Sequence, residues 1–344
     1  MPASPDPFVR RRALALAEGA AWRAFLVRWG VSLASLASGV VTLFVFRRGV
    51  PHVAWIVGYV VVLWLLFTVL TQARERLEAR GRRLVVTAGD YTIQTLYHGL
   101  LLFVLPGYFA STTLDGPTAP FFVLLAGATL LTAVDPWYRA LVHPRPWLDR
   151  ALFALALFAG LNVALPLVGL PPAWALLGSA ALAGLLLAPA YRRPGAAWQG
   201  LALRAGLAAG LAVGAAWVLL PAIPPAPLQL GQATLARAVV DLEPVQPVAR
   251  VSQADLRAWG GLVAFTPVIA PAGLRQSVHH RWRHEGREVT TLRLPTPVRG
   301  GRAAGFRTFS RKADFPPDAR GRWTVDVVTA SGQLVGRVRF TVDP

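Results

Sequence analysis

The apolar positions of this chain follow two patterns that do not mix. Up to about residue 220 they form long unbroken runs, at 24–46, 53–72, 91–113, 119–138, 150–168, 172–191 and 201–220. About 20 mostly apolar residues in a helix cover the roughly 30 Å of hydrocarbon in a bilayer, so each run predicts a spanning helix. Beyond Pro221 the period shortens to two. Strands are predicted at 233–240, 261–269, 277–284, 288–294, 305–310, 323–329 and 334–342, short β-patterned runs separated by turn residues. The last is the clearest. Leu334, Gly336, Val338, Phe340 and Val342 fall on one face, with Val335, Arg337, Arg339 and Thr341 on the other, because successive strand side chains point to opposite sides. Ala330-Ser331-Gly332-Gln333 and Glu285-Gly286 supply hairpin turns. The expected fold is an α-helical transmembrane bundle of seven helices followed by an all-β, sandwich-like extramembrane domain.

Four units follow from this pattern: a polar tail at 1–23, a seven-helix membrane domain at 24–220, a Pro-rich linker at 221–230 and a β-sandwich at 231–344. The run Pro221-Ala222-Ile223-Pro224-Pro225-Ala226-Pro227 cannot continue a helix and predicts a stiff extended spacer that lifts the β domain off the membrane. Gly206, Gly210 and Gly214 recur every four residues, a spacing that lets helix backbones approach, and they predict a tight seam inside the bundle.

Composition agrees with a chain that meets two solvents. Mean hydropathy is +0.47, with 54% apolar and only 15% charged residues. The net charge of +18 would suggest a nucleic-acid partner in a soluble protein. Here Lys312 is the one lysine among 35 basic residues, which reads as a codon bias towards arginine. Arginine also marks topology, since basic residues collect at cytoplasmic loops. The tail holds Arg10, Arg11, Arg12 and Arg23; the 73–90 connection holds Arg74, Arg76, Arg80, Arg82 and Arg83; Arg139, Arg145, Arg192 and Arg193 continue the series. The loops at 114–118 and 169–171 carry no basic residue, and only Arg47 and Arg48 break the rule. The amino terminus is therefore expected in the cytoplasm, the first run as an uncleaved signal anchor, and the β domain outside. That location removes nucleic acid as a partner. With no cysteine, disulfides, thiol nucleophiles and cysteine metal sites are excluded.

Ionisable residues inside a bilayer are costly and are the first functional candidates. Gln94, Tyr97 and His98 share a helical face, and Asp135 precedes Pro136 in the next run. His98 sits about 10 Å inside the cytoplasmic end at 1.5 Å per residue, so a His98–Asp135 hydrogen bond is within reach. With Tyr97 and Asn162 these residues outline a proton relay or polar ligand pocket. The competing role is interhelical packing, worth about 1 kcal/mol or less per hydrogen bond. His98 is the one histidine well inside a span, which disfavours bis-histidine haem. Transport is disfavoured too, because the halves of the membrane region do not repeat.

In the outer domain His279, His280 and His284 invite a metal reading. Adjacent strand histidines face opposite ways, and His280 and His284 stand about 13 Å apart at 3.3 Å per residue. No carboxylate or cysteine completes a zinc set, and no hydrolase elbow is present. No catalytic residue, metal or cofactor is expected. What remains is a basic surface. From Pro221 onward 17 basic residues face 9 acidic ones. Arg281 and Arg283 alternate outward from Trp282, with Arg307, Arg311 and Lys312 following. Such a surface suits anionic lipid headgroups, an acidic glycan or a membrane protein.

The string His280-Arg281-Trp282, then Gly300-Gly301, Gly305-Phe306-Arg307-Thr308-Phe309-Ser310-Arg311-Lys312, Gly321-Arg322-Trp323-Thr324-Val325 and Ser331-Gly332-Gln333 resembles the bacterial domain of unknown function 2914. The membrane half, with Leu102-Phe103-Val104-Leu105-Pro106 and Asp135-Pro136-Trp137-Tyr138, is similar to the uncharacterised family 5924, which pairs a multi-helix region with that tail. The resemblance implies a bacterial inner-membrane protein with its β domain in the periplasm. It implies no activity and carries over no site residue. Two functions are thus expected from different classes. The leading one is an anchored binding or scaffolding protein that recognises an envelope component through Arg281, Trp282, Arg283, Arg307, Arg311 and Lys312. The alternative is a membrane enzyme or transporter built on the polar residues between the third and fourth spans.

Overall fold

The computed structural model describes residues 53–191 and 198–344; the first expected span, the tail, Arg192 and Arg193 lie outside them. Seven helices occupy the described part of the apolar region: α1 (Val53–Ala79), α2 (Arg83–Ala110), α3 (Ala119–Ala133), α4 (Asp135–Leu141), α5 (Pro146–Leu167), α6 (Pro172–Leu186) and α7 (Trp198–Val218). Four of these, α1, α2, α5 and α7, are long and apolar enough to cross a membrane. The bent pair α3–α4 makes a fifth if it is one span.

Two expected runs come out differently. The run at 119–138 breaks at Val134, and α3 and α4 meet there at 103°. Pro136 explains the break: it lacks an N–H, and its ring would collide with the Thr132 carbonyl in a continuous helix. The run at 172–191 is α-helical only to Leu186, for 15 residues, and ends in a 3₁₀ turn at Ala188–Tyr191; the α-helix is about 22 Å long at 1.5 Å per residue, shorter than the hydrocarbon. The expected glycine seam also moves. A β carbon on Gly206, Gly210 or Gly214 would meet nothing within 4 Å, whereas one on Gly184 would stand 2.7 Å from the backbone of Ala209. The close α6–α7 contact therefore runs through Gly184, and among the described residues nothing packs against the three glycines of α7. The bundle core gathers Ile56, Leu63, Leu101, Phe153 and Leu157, all at most 1% exposed, with Phe67 stacked on Phe153 at 4.0 Å.

The second half is β-rich. Its strands are β1 (Gln229–Leu230), β2 (Thr234–Val240), β3 (Glu243–Val248), β4 (Val251–Ser252), β5 (Leu262–Phe265), β6 (Val268–Ile269) and β7 (Arg275–Gln276). There follow β8 (Val278–His284), β9 (Arg287–Arg293), β10 (Val298–Arg299), β11 (Phe309–Lys312), β12 (Gly321–Thr329) and β13 (Leu334–Asp343). Two sheets dominate, ordered β11-β5-β2-β3 and β4-β13-β12-β8-β9. Leu235, Leu262 and Ala264 from the first and Trp282, Trp323, Val325 and Phe340 from the second form one buried cluster. One helix departs from the all-β expectation. This is α8 (Gln253–Trp259), opened by a Ser252/Asp255 capping box and closed by left-handed Gly260. The β8–β9 hairpin turns on Glu285 and Gly286, both at positive φ, the two-residue turn whose twist matches that of the strands.

The Pro-rich joint is not a solvated spacer. After a 3₁₀ turn at Leu220–Ala222, Ile223 to Ala226 are buried. The Gln333 amide, itself fully buried, donates to the Ile223 carbonyl at 3.3 Å. Arg339 of β13 ion-pairs with Asp115 in the α2–α3 connection. Leu334 reaches 3.2 Å from where a β carbon on Gly116 would sit. Apolar prolines have packed against the neighbouring surfaces instead of extending into water, and the β domain rests on the bundle end opposite the α1–α2 turn.

Candidate functional site

The five-stranded sheet builds a charged outer face by alternation. On β8, Trp282 turns inward and is 0% exposed, while Arg281 and Arg283 turn outward. On β12, Trp323 and Val325 are fully buried, leaving Arg322, Thr324 and Asp326 outside. Register then sets the neighbours. Asp326 lies opposite Arg337 on β13 and Arg281 on β8, and Thr324 lies opposite Arg339 and Arg283.

Asp326 organises this face. Its side chain is 3% exposed, Arg337 Nε and Nη2 reach its two carboxylate oxygens at 2.5 and 2.9 Å, and Arg283 Nε lies 3.2 Å away. These hydrogen bonds hold the Arg337 guanidinium charged by raising its pKa. Arg281 Nε lies 3.2 Å from Glu288 at the margin. Below them, Arg322 pairs with Glu285 at 3.4 Å and Arg339 with Asp115, and all four of these side chains are at least 47% exposed. Two hollows flank the Asp115–Arg339 pair. One, of about 510 Å³, is bounded by Arg337 and Thr113; the other, of about 550 Å³, by Arg322 and Glu285.

The sequence-expected residues do not form one surface. Arg281 and Arg283 belong to the face just described. Trp282 cannot present itself to a partner, since it is core and its indole N–H donates to Ser310 Oγ at 3.2 Å. Lys312 is 5% exposed; its ammonium donates to the Asp314 carbonyl at 2.7 Å and lies over the Phe315 ring. Burial lowers its pKa. Arg307, just before β11, pairs with Glu243 of β3 at 2.5 Å, and Arg311 of β11 donates to the Trp259 carbonyl at 2.7 Å, both away from this face. Arg322, Arg337, Arg339 and Asp326 complete the face and went unselected as site residues. The alternation of β13 signals two of them; their meeting with β8 depends on long-range register.

Beneath the face lies a neutral polar core. His280 Nδ1 is 2.7 Å from Ser310 Oγ and Nε2 is 2.8 Å from Thr266 Oγ1. Burial drives its pKa from 6.5 down to about 4, so it is uncharged at neutral pH. His284 stacks on Trp323 at 4.5 Å, and His279 sits on the opposite side of the strand.

The intramembrane candidates separate into three groups. Gln94 donates to Asp135 Oδ1 at 2.7 Å and to the Thr132 carbonyl at 3.0 Å. His98 takes a different partner from the one expected: its Nδ1 lies 3.4 Å from the Thr129 carbonyl. Tyr97 donates to Asp149 Oδ1 at 3.2 Å. Asn162 donates to Tyr108 Oη at 3.0 Å, far along the bundle.

Comparison with known proteins gives two family matches. A model described as a family of unknown function, DUF5924, matches residues 14–264, and one described as a protein of unknown function, DUF2914, matches residues 275–342. No curated protein and no solved structure matches.

Proposed function

The chain belongs to the DUF5924 family, and from that premise we propose that it is a multi-pass bacterial inner-membrane protein that presents an anion-binding β domain in the periplasm. The domain is read as a sandwich anchored by a seven-span bundle with a cytoplasmic amino terminus. The arginine distribution supports this orientation: the α1–α2 turn and the helix ends beside it carry Arg76, Arg80, Arg82 and Arg83, while the 111–118 connection under the β domain carries none. The ligand is an envelope component bearing phosphate or carboxylate groups, and the receiving surface is the outer face of the five-stranded sheet.

One observation carries the reading. Buried Asp326 fixes Arg283 and Arg337, while beside them Arg322 and Arg339 are held only by exposed acids. Exposed ion pairs are worth about 0–1 kcal/mol, so an incoming anion displaces Glu285 or Asp115 at small cost and meets guanidinium forks suited to bidentate contact.

The test uses the full-length protein in detergent, titrated with phosphatidylglycerol vesicles and with an acidic envelope glycan. Binding to either is expected to fall at least tenfold in Arg322→Glu/Arg339→Glu. Undiminished binding by this folded variant ends the proposal.

A further inference from the structure

The hollow of about 510 Å³ beside the Asp115–Arg339 pair opens between the two halves of the molecule. One wall is β13, with Arg337 and Arg339; the other is the α2–α3 connection, with Thr113, Leu114 and Asp115; Leu230 of β1 lines it as well. Its size falls within the ~300–1,000 Å³ usual for ligand pockets. Gly336 lets these walls meet: a β carbon there would stand 2.6 Å from Leu230 Cβ, so β1 can lie this close only to a glycine.

Two features set its chemistry. Arg337 and Arg339 are two residues apart on one strand, so they share a face with about 7 Å between their α carbons. Arg337 spends Nε and Nη2 on Asp326, and Arg339 spends Nη2 on Asp115. A guanidinium carries five N–H donors, so both keep donors for a further acceptor. Asp115 is the one carboxylate lining the hollow, and it is exposed. The second feature is apolar. Leu114 is 64% exposed, and Phe109 in the last turn of α2 is 56% exposed. A ligand that joins an anion to hydrocarbon satisfies both features.

The level of the hollow agrees. The spanning candidate α2 ends at Ala110, which lines it. At the same end of the bundle Trp174, in the first turn of α6, and Trp217, in the last turn of α7, are both exposed. Tryptophan collects where hydrocarbon meets headgroups.

We infer that this hollow binds the phosphate of an anionic phospholipid from the leaflet beneath the β domain. Arg339 exchanges Asp115 for the phosphate, Arg337 adds a second guanidinium, and Leu114 meets the acyl chains. The exchange costs little, because the pair it breaks is solvent-exposed. The inference rests on the anion-binding reading of the arginine face and narrows its ligand to a lipid of the same membrane; it holds for either orientation of the bundle.

Full-length protein in detergent is incubated with equal phosphatidylglycerol and phosphatidylcholine, and retained lipid is read by native mass spectrometry. Glycerol 3-phosphate and polygalacturonate, anions without acyl chains, are titrated separately by calorimetry. Phosphatidylglycerol should be retained at least about fivefold over phosphatidylcholine, fall to near parity in Arg339→Gln, and rise about two- to fivefold in Asp115→Asn, which removes a weak competitor. Misfolding cannot produce that gain. Arg237→Gln takes the same charge from the four-stranded sheet and should keep the preference. Equal retention of the two lipids, an unchanged preference in Arg339→Gln, no gain in Asp115→Asn, or an equal loss in Arg237→Gln overturns the inference. Binding of a soluble anion without lipid preference, lost in Arg322→Glu/Arg339→Glu, overturns it while the anion-binding reading stands. Binding of neither lipid nor soluble anion overturns both.

Discussion

At the scale of the residue, burial has changed what several side chains can do. Trp282 and Lys312 read as members of a basic, aromatic surface when met in sequence, yet both are enclosed, and the polar tip of each is spent on an internal partner. Alternation identified Arg281 and Arg283 as outward, because period two is a local property. It gave no hint of Asp326 as their organiser, since that depends on which strand lies alongside. His280 shows the energetic side. With a folded pKa of about 4 against 6.5 unfolded, the unfolded chain takes the proton first. Stability is therefore complete above about pH 6.5 and is lost as pH falls towards 4, by about 3 kcal/mol at 1.36 kcal/mol per unit. Unfolding of the full-length protein, followed by tryptophan fluorescence, should show a lower midpoint at pH 4.5 than at pH 7. His280→Gln should flatten that dependence while costing about 1 kcal/mol at pH 7 through weakened hydrogen bonds.

At the scale of the element, the helices and strands announced themselves wherever pattern and local chemistry agreed. Six of the seven expected strand runs fall on β2, β5 with β6, β8, β9, β12 and β13; the run at 305–310 overlaps β11 only at its end. Strand β3 is absent from the expected runs, and it carries two prolines, Pro244 and Pro247, that are unfavourable inside a sheet. It is an edge strand bonded to β2 alone, where a missing N–H on the free side costs nothing. The break in 119–138 has one local signal, Pro136, and the unbroken apolar run around it hides that signal. The glycine spacing on α7 misled for a different reason: four-residue periodicity shows that a helix has a smooth stripe and leaves open which way the stripe faces. Gly184 is the position under pressure. Gly184→Val should destabilise the bundle by about 1–3 kcal/mol, since the α6 and α7 backbones must part. Gly206→Val, with open space at its β carbon, should leave unfolding in detergent nearly unchanged, and comparing the two midpoints checks the assignment.

At the scale of the whole molecule, the notable departure is that the β domain is seated on the bundle and not suspended from it. A proline-rich stretch reads as a spacer because stiffness is a local property. Its burial depends on apolar surfaces at 223–226 meeting neighbours distant in sequence, with Gln333 and Arg339 completing the contact. Seating fixes the arginine face beside the 111–118 connection, so the face and the α1–α2 turn lie at opposite ends of α2, about 40 Å apart along a 28-residue helix. If the bundle crosses a membrane in the proposed sense, one end meets the periplasm and the other the cytoplasm. The chain tests this directly because it contains no cysteine, so one introduced thiol reports without background. Ser331 lies in the exposed β12–β13 turn and Arg80 in the exposed α1–α2 turn. In intact spheroplasts a membrane-impermeant maleimide should label Ser331→Cys, and should label Arg80→Cys only after lysis. The reverse pattern would place the arginine face in the cytoplasm, where nucleic acids and soluble anions replace envelope components as its ligands. Equal labelling of both before lysis would leave the seated domain intact and remove the barrier between the two ends.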